Sequence, residues 1–217
     1  ALSADKTYEM IYDIILNHHN TIIEEVIELD EVKKELYQET QPLLDYLKNI
    51  LRGIYLIGDL SQKTSDKIVS YGERLSSLIL SKAIPNAKLY DSTEFIKTTK
   101  QFNKHIPDMP LSNQLIKEHL KDIDCVAIVP GFISSSRDEN DITNLGRGGS
   151  DYTASIIAAA LDASILEIWT DVDGFMTADP KIIQSAYVIE ELTYIEAIEL
   201  SNFGAKVIYP PTIFPVY

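Results

Sequence analysis

The chain has 217 residues, 45% of them apolar and 24% charged, a composition that suits one domain with a substantial core. Its net charge of −14, without clustered lysines and arginines, argues against nucleic acid or an anionic membrane as partner, so any phosphate site must be local. No apolar run is long enough to span a bilayer, no charged start leads into an apolar core, and the single cysteine, Cys125, excludes a disulfide framework; the chain reads as cytoplasmic.

Tyr8, Ile11, Ile15, His18, Ile22 and Val26 recur at helical spacing. They predict an amphipathic helix over residues 4–27, with His18 a packed, hydrogen-bonded member of its apolar face. Val32, Leu36, Leu43, Leu47 and Leu51 predict a second helix, which Pro42 should kink or restart. Residues 65–83 predict a third, whose wide apolar arc includes Tyr71, Leu75, Leu78 and Ile79. Glu73 projects at the edge of that arc beside the small Gly72 and Ser76, which leave room for a ligand. Taken alone, a glutamate at such a boundary reads as a solvated or salt-bridged surface group.

Beyond Asp122 the pattern changes. Residues 124–133 are apolar and β-branched and predict a strand, with Cys125 buried in it; residues 150–161 predict a helix and residues 164–170 a further strand. A crossover helix between two strands implies an α/β fold on a mainly parallel sheet. The polar stretch 134–144 predicts an exposed hairpin or flap. Ala158, Ala159 and Ala160 give the crossover helix a thin face for close packing.

The run Leu145-Gly146-Arg147-Gly148-Gly149-Ser150-Asp151-Tyr152 carries the most chemistry, since it places three glycines and an arginine in a turn that opens into a helix. Glycines allow sharp turning and close approach of bare N–H groups, and the helix start adds unpaired donors with a positive dipole end. Arg147 adds a planar two-pronged donor for a carboxylate or phosphate. An ordinary β-to-α connection, with Ser150 capping the helix and Asp151 complementing the dipole, explains the same residues without a ligand.

Three further segments bear on the choice: Ser70-Tyr71-Gly72-Glu73, Trp169-Thr170-Asp171-Val172-Asp173-Gly174 and Phe203-Gly204-Ala205-Lys206-Val207. Together with residues 146–151, in this order, they resemble the aspartokinases of the amino acid kinase family. The resemblance runs from about Leu51 to Tyr217 and is looser over residues 1–50. The lead-in Leu51-Arg52-Gly53-Ile54-Tyr55-Leu56-Ile57-Gly58 looks most like the aspartokinase half of bifunctional aspartokinase–homoserine dehydrogenases.

The resemblance implies a three-layer α/β/α kinase domain with a helical N-terminal part, transferring the γ-phosphoryl of ATP to the β-carboxylate of L-aspartate to give 4-phospho-L-aspartate, the entry to lysine, threonine and methionine synthesis. Arg147 would clamp the α-carboxylate of aspartate, Glu73 would pair with its ammonium, and Gly148, Gly149 and Ser150 would line the substrate pocket. Asp151 and Lys206 would be catalytic. Thr170, Asp171, Met176, Lys181, Lys206 and Val207 would contact the nucleotide, and Mg2+ would bridge phosphate oxygens, with no protein metal ligand implied. The acceptor carboxylate is already ionised near neutral pH, so catalysis rests on positioning and on neutralising two anionic reactants.

Two positions depart from the family: Met176 stands where a tyrosine is usual, and Lys181 where an arginine is usual. The Lys-Phe-Gly-Gly-Thr-Ser phosphate loop with which aspartokinases open has no counterpart, and neither do their closing strands and paired ACT domains. Residues 1–217 therefore read as an internal fragment of an aspartokinase-like catalytic domain, homo-oligomeric in the complete protein. A glutamate or acetylglutamate kinase, or a kinase-fold binding module without turnover, are the alternatives.

Overall fold

The computed structural model describes residues 7–102, 104–178, 182–203 and 207–217. Its first third is helical. Helix α1 (Thr7–Val26), α2 (Asp30–Ile57) and α3 (Gln62–Ala83) pack together around Tyr12, Leu44, Leu47, Tyr71 and Leu75 at one end, and around Ile23, Ile27, Leu36, Leu78 and Ile79 at the other.

Two expectations for this region need correction. The buried stripe of α1 is Tyr8, Tyr12, Ile23 and, just past the helix, Ile27, so the face is rotated by about one residue from the expected one. His18 accordingly lies exposed, edge-on to the His19 ring, and it is His19 whose Nδ1 meets the Ile15 carbonyl at 2.7 Å. Pro42 starts no new helix, for α2 runs through it. A proline inside a helix costs about 3 kcal/mol, whereas Leu36, Leu44, Leu47 and Ile54 each gain about 1.5–3 kcal/mol by burial, so packing outweighs the lost backbone bond.

The remainder is α/β. Strand β1 (Ala87–Leu89) pairs in parallel with β4 (Val126–Ile128), and a four-stranded sheet runs in the order β3 (Lys104–Pro107), β2 (Lys97–Gln101), β5 (Ile133–Ser136), β6 (Ile142–Asn144). Its β2–β5 pair is parallel and the other two are antiparallel, so among the described residues this sheet is mixed while the β1–β4 pair is parallel. Helices α4 (Ser92–Phe95), α5 (Met109–Leu120) and α6 (Gly149–Ala160) share a core of Phe95, Ile96, Ile116, Leu120, Ile156 and Ala160. Helix α7 (Tyr194–Asn202) opens on a capping box between Thr193 and Glu196.

The expected strand over 124–133 is two strands, β4 and β5. Pro130-Gly131 lies between them and Phe132 takes φ of 66°, a left-handed conformation no ladder accommodates. Cys125 falls just before β4 and is half-buried, its Sγ 3.7 Å from the Tyr90 hydroxyl. The stretch 134–144 does form a hairpin, β5–β6, exposed at its tip over 137–140, while Ser134, Ser135 and Thr143 at its base are buried. Thr143 Oγ1 lies 2.9 Å from Thr98 Oγ1 and 2.8 Å from Ser134 Oγ, so hydroxyls on three neighbouring strands satisfy one another.

Residues 164–170 form no strand. Leu166 and Ile168 are half-buried while Ile165, Glu167 and Trp169 face solvent, the alternation a strand needs, but no described neighbour supplies ladder bonds.

Candidate functional site

The glycine-rich turn is built by a chain reversal at each end. Strand β6 leads into it, with the Leu145 N–H donating to the Phe132 carbonyl at 2.9 Å. Gly146 and Gly148 then both take left-handed backbone, at φ of 77° and 66°, and Gly148 is the residue from which α6 starts. The Gly149 N–H donates back to the Gly146 carbonyl at 3.0 Å, which closes the turn. Ser150 does not cap α6. It lies in the first turn with its side chain exposed, and no side chain caps that helix.

A second turn clamps this one. A Cβ on Gly131 would stand 2.8 Å from the Ser150 Cα, and one on Gly149 would stand 2.9 Å from the Phe132 ring. The Thr153 hydroxyl joins the two, donating to the Gly149 carbonyl at 2.8 Å and accepting from the Phe132 N–H at 3.1 Å. Tyr209 covers the other side, where a Cβ on Gly148 would meet the Tyr209 Cβ at 2.6 Å. The backbone of the turn is therefore fixed before any ligand arrives.

Two of the expected site carboxylates, Glu73 and Asp151, have no ion-pair partner among the described residues. Burial pushes the Glu73 carboxyl up from its ordinary value, and burial does the same to Asp151, despite its place in the first turn of α6. Arg147 is exposed and makes no ion pair among the described residues. Helix α3, which carries Glu73, packs on β6. Asn144 fastens the two, donating to the Asp66 carboxylate at 3.1 Å just before the chain enters the turn. Beside Glu73, Gly72 faces open space, and Ser76 turns its hydroxyl back to the Glu73 carbonyl at 3.2 Å, which leaves the carboxylate free.

The expected nucleotide residues are placed less completely. Thr170 and Asp171 are exposed and joined to each other at 3.3 Å; they follow a segment without regular secondary structure, and not the end of a strand as expected. Met176 bridges Val188 in an antiparallel pair, flanked by Thr177 N–H to the Tyr187 carbonyl at 3.0 Å and Ile189 N–H to the Phe175 carbonyl at 2.8 Å. Val207 is half-buried. Lys181 and Lys206 lie outside the described residues. A cavity of about 540 Å3 between α6, residues 163–168 and the C-terminal turns Pro210–Thr212 and Phe214–Val216 is mainly apolar and contains none of the expected site residues.

Asp66, Asn144, Gly131, Thr153 and Tyr209 support the site, and sequence reasoning passed over all five. Pro130-Gly131 after an apolar run was the one visible signal, as a turn that requires close approach. No group of three or more His, Cys, Asp or Glu side chains that could hold a metal ion occurs among the described residues.

The sequence matches the Amino acid kinase family over residues 10–217. The chain belongs to that family. It is 36% identical, over 189 residues covering 84% of this chain and 23% of the relative, to the bifunctional aspartokinase/homoserine dehydrogenase of Buchnera aphidicola subsp. Acyrthosiphon pisum (strain APS). It is 38% identical, over 71% of this chain and 36% of the relative, to the lysine-sensitive aspartokinase 3 of Escherichia coli (strain K12). The crystal structure of E. coli aspartokinase III in complex with aspartate and ADP, in its R-state, superposes with a TM-score of 0.88 at 31% identity, over 99% of this chain and 48% of that one. The expected α/β kinase fold is thereby borne out. This chain spans about half the length of that structure and 23% to 36% of these two relatives. No described helix is long and apolar enough to cross a membrane.

Proposed function

We propose that this chain is the substrate-binding and phosphoryl-transfer part of an ATP-dependent aspartate kinase. The observation that carries the reading is Glu73, a carboxylate pushed up by burial with no cation beside it among the described residues. Such a group is poised for an ammonium supplied from outside, which would offset its desolvation. Arg147, free and exposed on a rigid glycine turn, supplies the complementary fork for a carboxylate, and the start of α6 adds a positive dipole end.

In this reading Glu73 and Arg147 hold the ammonium and α-carboxylate of L-aspartate, with Gly148, Gly149 and Ser150 lining the pocket. Asp151 stands beside the transfer site, and Lys206 meets the nucleotide phosphates. Thr170, Asp171, Met176, Lys181 and Val207 form the nucleotide side. Mg2+ would be held largely by phosphate oxygens and water, which needs no protein ligand of its own here. We place the reaction in the cytoplasm, in a homo-oligomer, within the 1–217 aspartokinase-like domain expected from the sequence.

Calorimetric titration of L-aspartate and L-glutamate, each with ADP and Mg2+ present, tests the assignment. The proposal expects aspartate to bind and glutamate to bind at least about tenfold more weakly, because an extra methylene shifts the acceptor carboxylate within a rigid turn. Preferential glutamate binding would assign the chain to another amino acid kinase. Binding of ADP alone would favour a kinase-fold module without this substrate.

A further inference from the structure

Lys63, Lys67 and Arg74 stand on α3 at intervals of four and seven residues, which aligns them on one face of the helix. That face borders a cavity of about 530 Å3 closed on its other sides by Tyr46 of α2 and by Asn140 and Asp141 at the β5–β6 turn. The cations are not equivalent. Lys63 is paired with Asp141 and holds that carboxyl below its ordinary range. The acidic groups at this rim are thus already engaged.

The direct contacts of Lys67 and Arg74 are to neutral groups, although Lys67 also helps lower the Asp141 carboxyl from a distance. Lys67 Nζ donates to the Tyr46 hydroxyl at 3.1 Å and lies 4.8 Å from the centre of the Tyr46 ring. The Arg74 guanidinium lies 5.4 Å from the centre of the Tyr71 ring. Neither has a carboxylate oxygen within 4.0 Å among the described residues. Two cations without a direct ion pair therefore border one cavity in a chain of net charge −14, with Asp141, already paired with Lys63, as the one carboxylate among its described lining residues. The aromatic rings hold both side chains in place, which lowers the entropy an anion must overcome to order them.

We propose that this groove binds an anion carrying two linked phosphoryl groups. Seven residues of helix separate the Lys67 and Arg74 backbones by about 10 Å along the axis, so an elongated anion, with two phosphoryl groups joined end to end, meets both head groups with less bending of the side chains than one phosphoryl group would. Each phosphoryl group brings close to two negative charges and three acceptor oxygens, which match a lysine and a forked guanidinium better than a monocarboxylate does. The groove shares no lining residue with Glu73, Arg147 or the turn Gly148 to Asp151, so the inference stands apart from the kinase reading.

Calorimetric titration of pyrophosphate into the full 217-residue chain, without magnesium, tests it. Saturable binding is expected, weakened about tenfold to a hundredfold by Lys67→Ala or by Arg74→Ala, abolished by the pair, and unchanged by Arg147→Ala. Should Arg74→Ala lose wild-type circular dichroism, Arg74→Gln keeps the packing on Tyr71 and takes its place. No binding, equal binding by the variants, or loss only with Arg147→Ala would overturn the site. Inorganic phosphate or malonate binding as tightly as pyrophosphate would overturn the two-phosphoryl assignment.

Discussion

Asn144 donates its side-chain N–H to the buried carboxylate of Asp66 at 3.1 Å, and this hydrogen bond joins the helix carrying Glu73 to the strand that leads into the glycine-rich turn. Gln62 donates to the same Asp66 oxygen at 2.7 Å, so the acceptor is held from two sides. Asn144→Ala should destabilise the chain by about 1–3 kcal/mol, because it leaves a buried carboxylate short of a donor. It should also weaken aspartate binding through misplacement of Glu73, with circular dichroism unchanged. Denaturant unfolding and calorimetry on one preparation separate the two effects.

Glu73 sets a pH dependence whose direction can be worked out. Burial raises its folded pKa above its value in the unfolded chain. The folded state therefore holds the proton more tightly, so this group's contribution to stability is full below the unfolded pKa and is lost as pH rises through the folded one. Ligand binding runs the other way, for only ionised Glu73 attracts an ammonium. Aspartate affinity should begin to fall at a higher pH, on acidification, than an ordinary glutamate would give. Titrations across mildly acidic pH, repeated with Glu73→Gln, check this: the variant should lose that limb of the profile.

The glycines of the site should respond in opposite senses. Gly148→Ala places a Cβ 2.6 Å from that of Tyr209 on left-handed backbone, and should cost roughly 2–3 kcal/mol of stability. Gly72 lies inside α3 with open space around its Cα, so Gly72→Ala should raise stability by about 0.5–1 kcal/mol. If that open space receives aspartate, the stabilised variant should bind aspartate less well. Melting curves with and without ligand distinguish these outcomes.

Much of the fold was legible because hydrophobic periodicity reports burial directly, as in α2 and α3. It failed where polarity was mistaken for exposure. Ser134, Thr143 and Thr98 are buried because their hydroxyls face one another across strands, a pairing that no local pattern encodes. It failed again at residues 164–170, where alternation was present and a pairing neighbour among the described residues was not. In the candidate site the glycine turn was readable, since left-handed backbone at Gly146 and Gly148 selects glycine. The supports were not, because Asp66 and Asn144 are 78 residues apart and meet only in the folded chain.

Arg147 should contribute through its fork as well as its charge. Arg147→Ala should weaken aspartate binding by roughly 1.5–3 kcal/mol, and Arg147→Lys should recover little, since an ammonium cannot make two parallel bonds to one carboxylate. The arginine is exposed and touches no described partner, so stability should hardly change. Aspartate affinity equal to wild type in Arg147→Ala would make the glycine turn a structural connection only.

The measurement that bears most directly on the assignment of Glu73 to the substrate ammonium is a pair of titrations, aspartate and ADP with Mg2+, into Glu73→Gln. The substitution keeps the shape of the side chain and removes its charge. Aspartate binding should weaken by roughly 1.5–3 kcal/mol while ADP binding stays within a few-fold of wild type, because the nucleotide is assigned to other segments. Equal losses for both ligands, or no loss for either, would contradict the account.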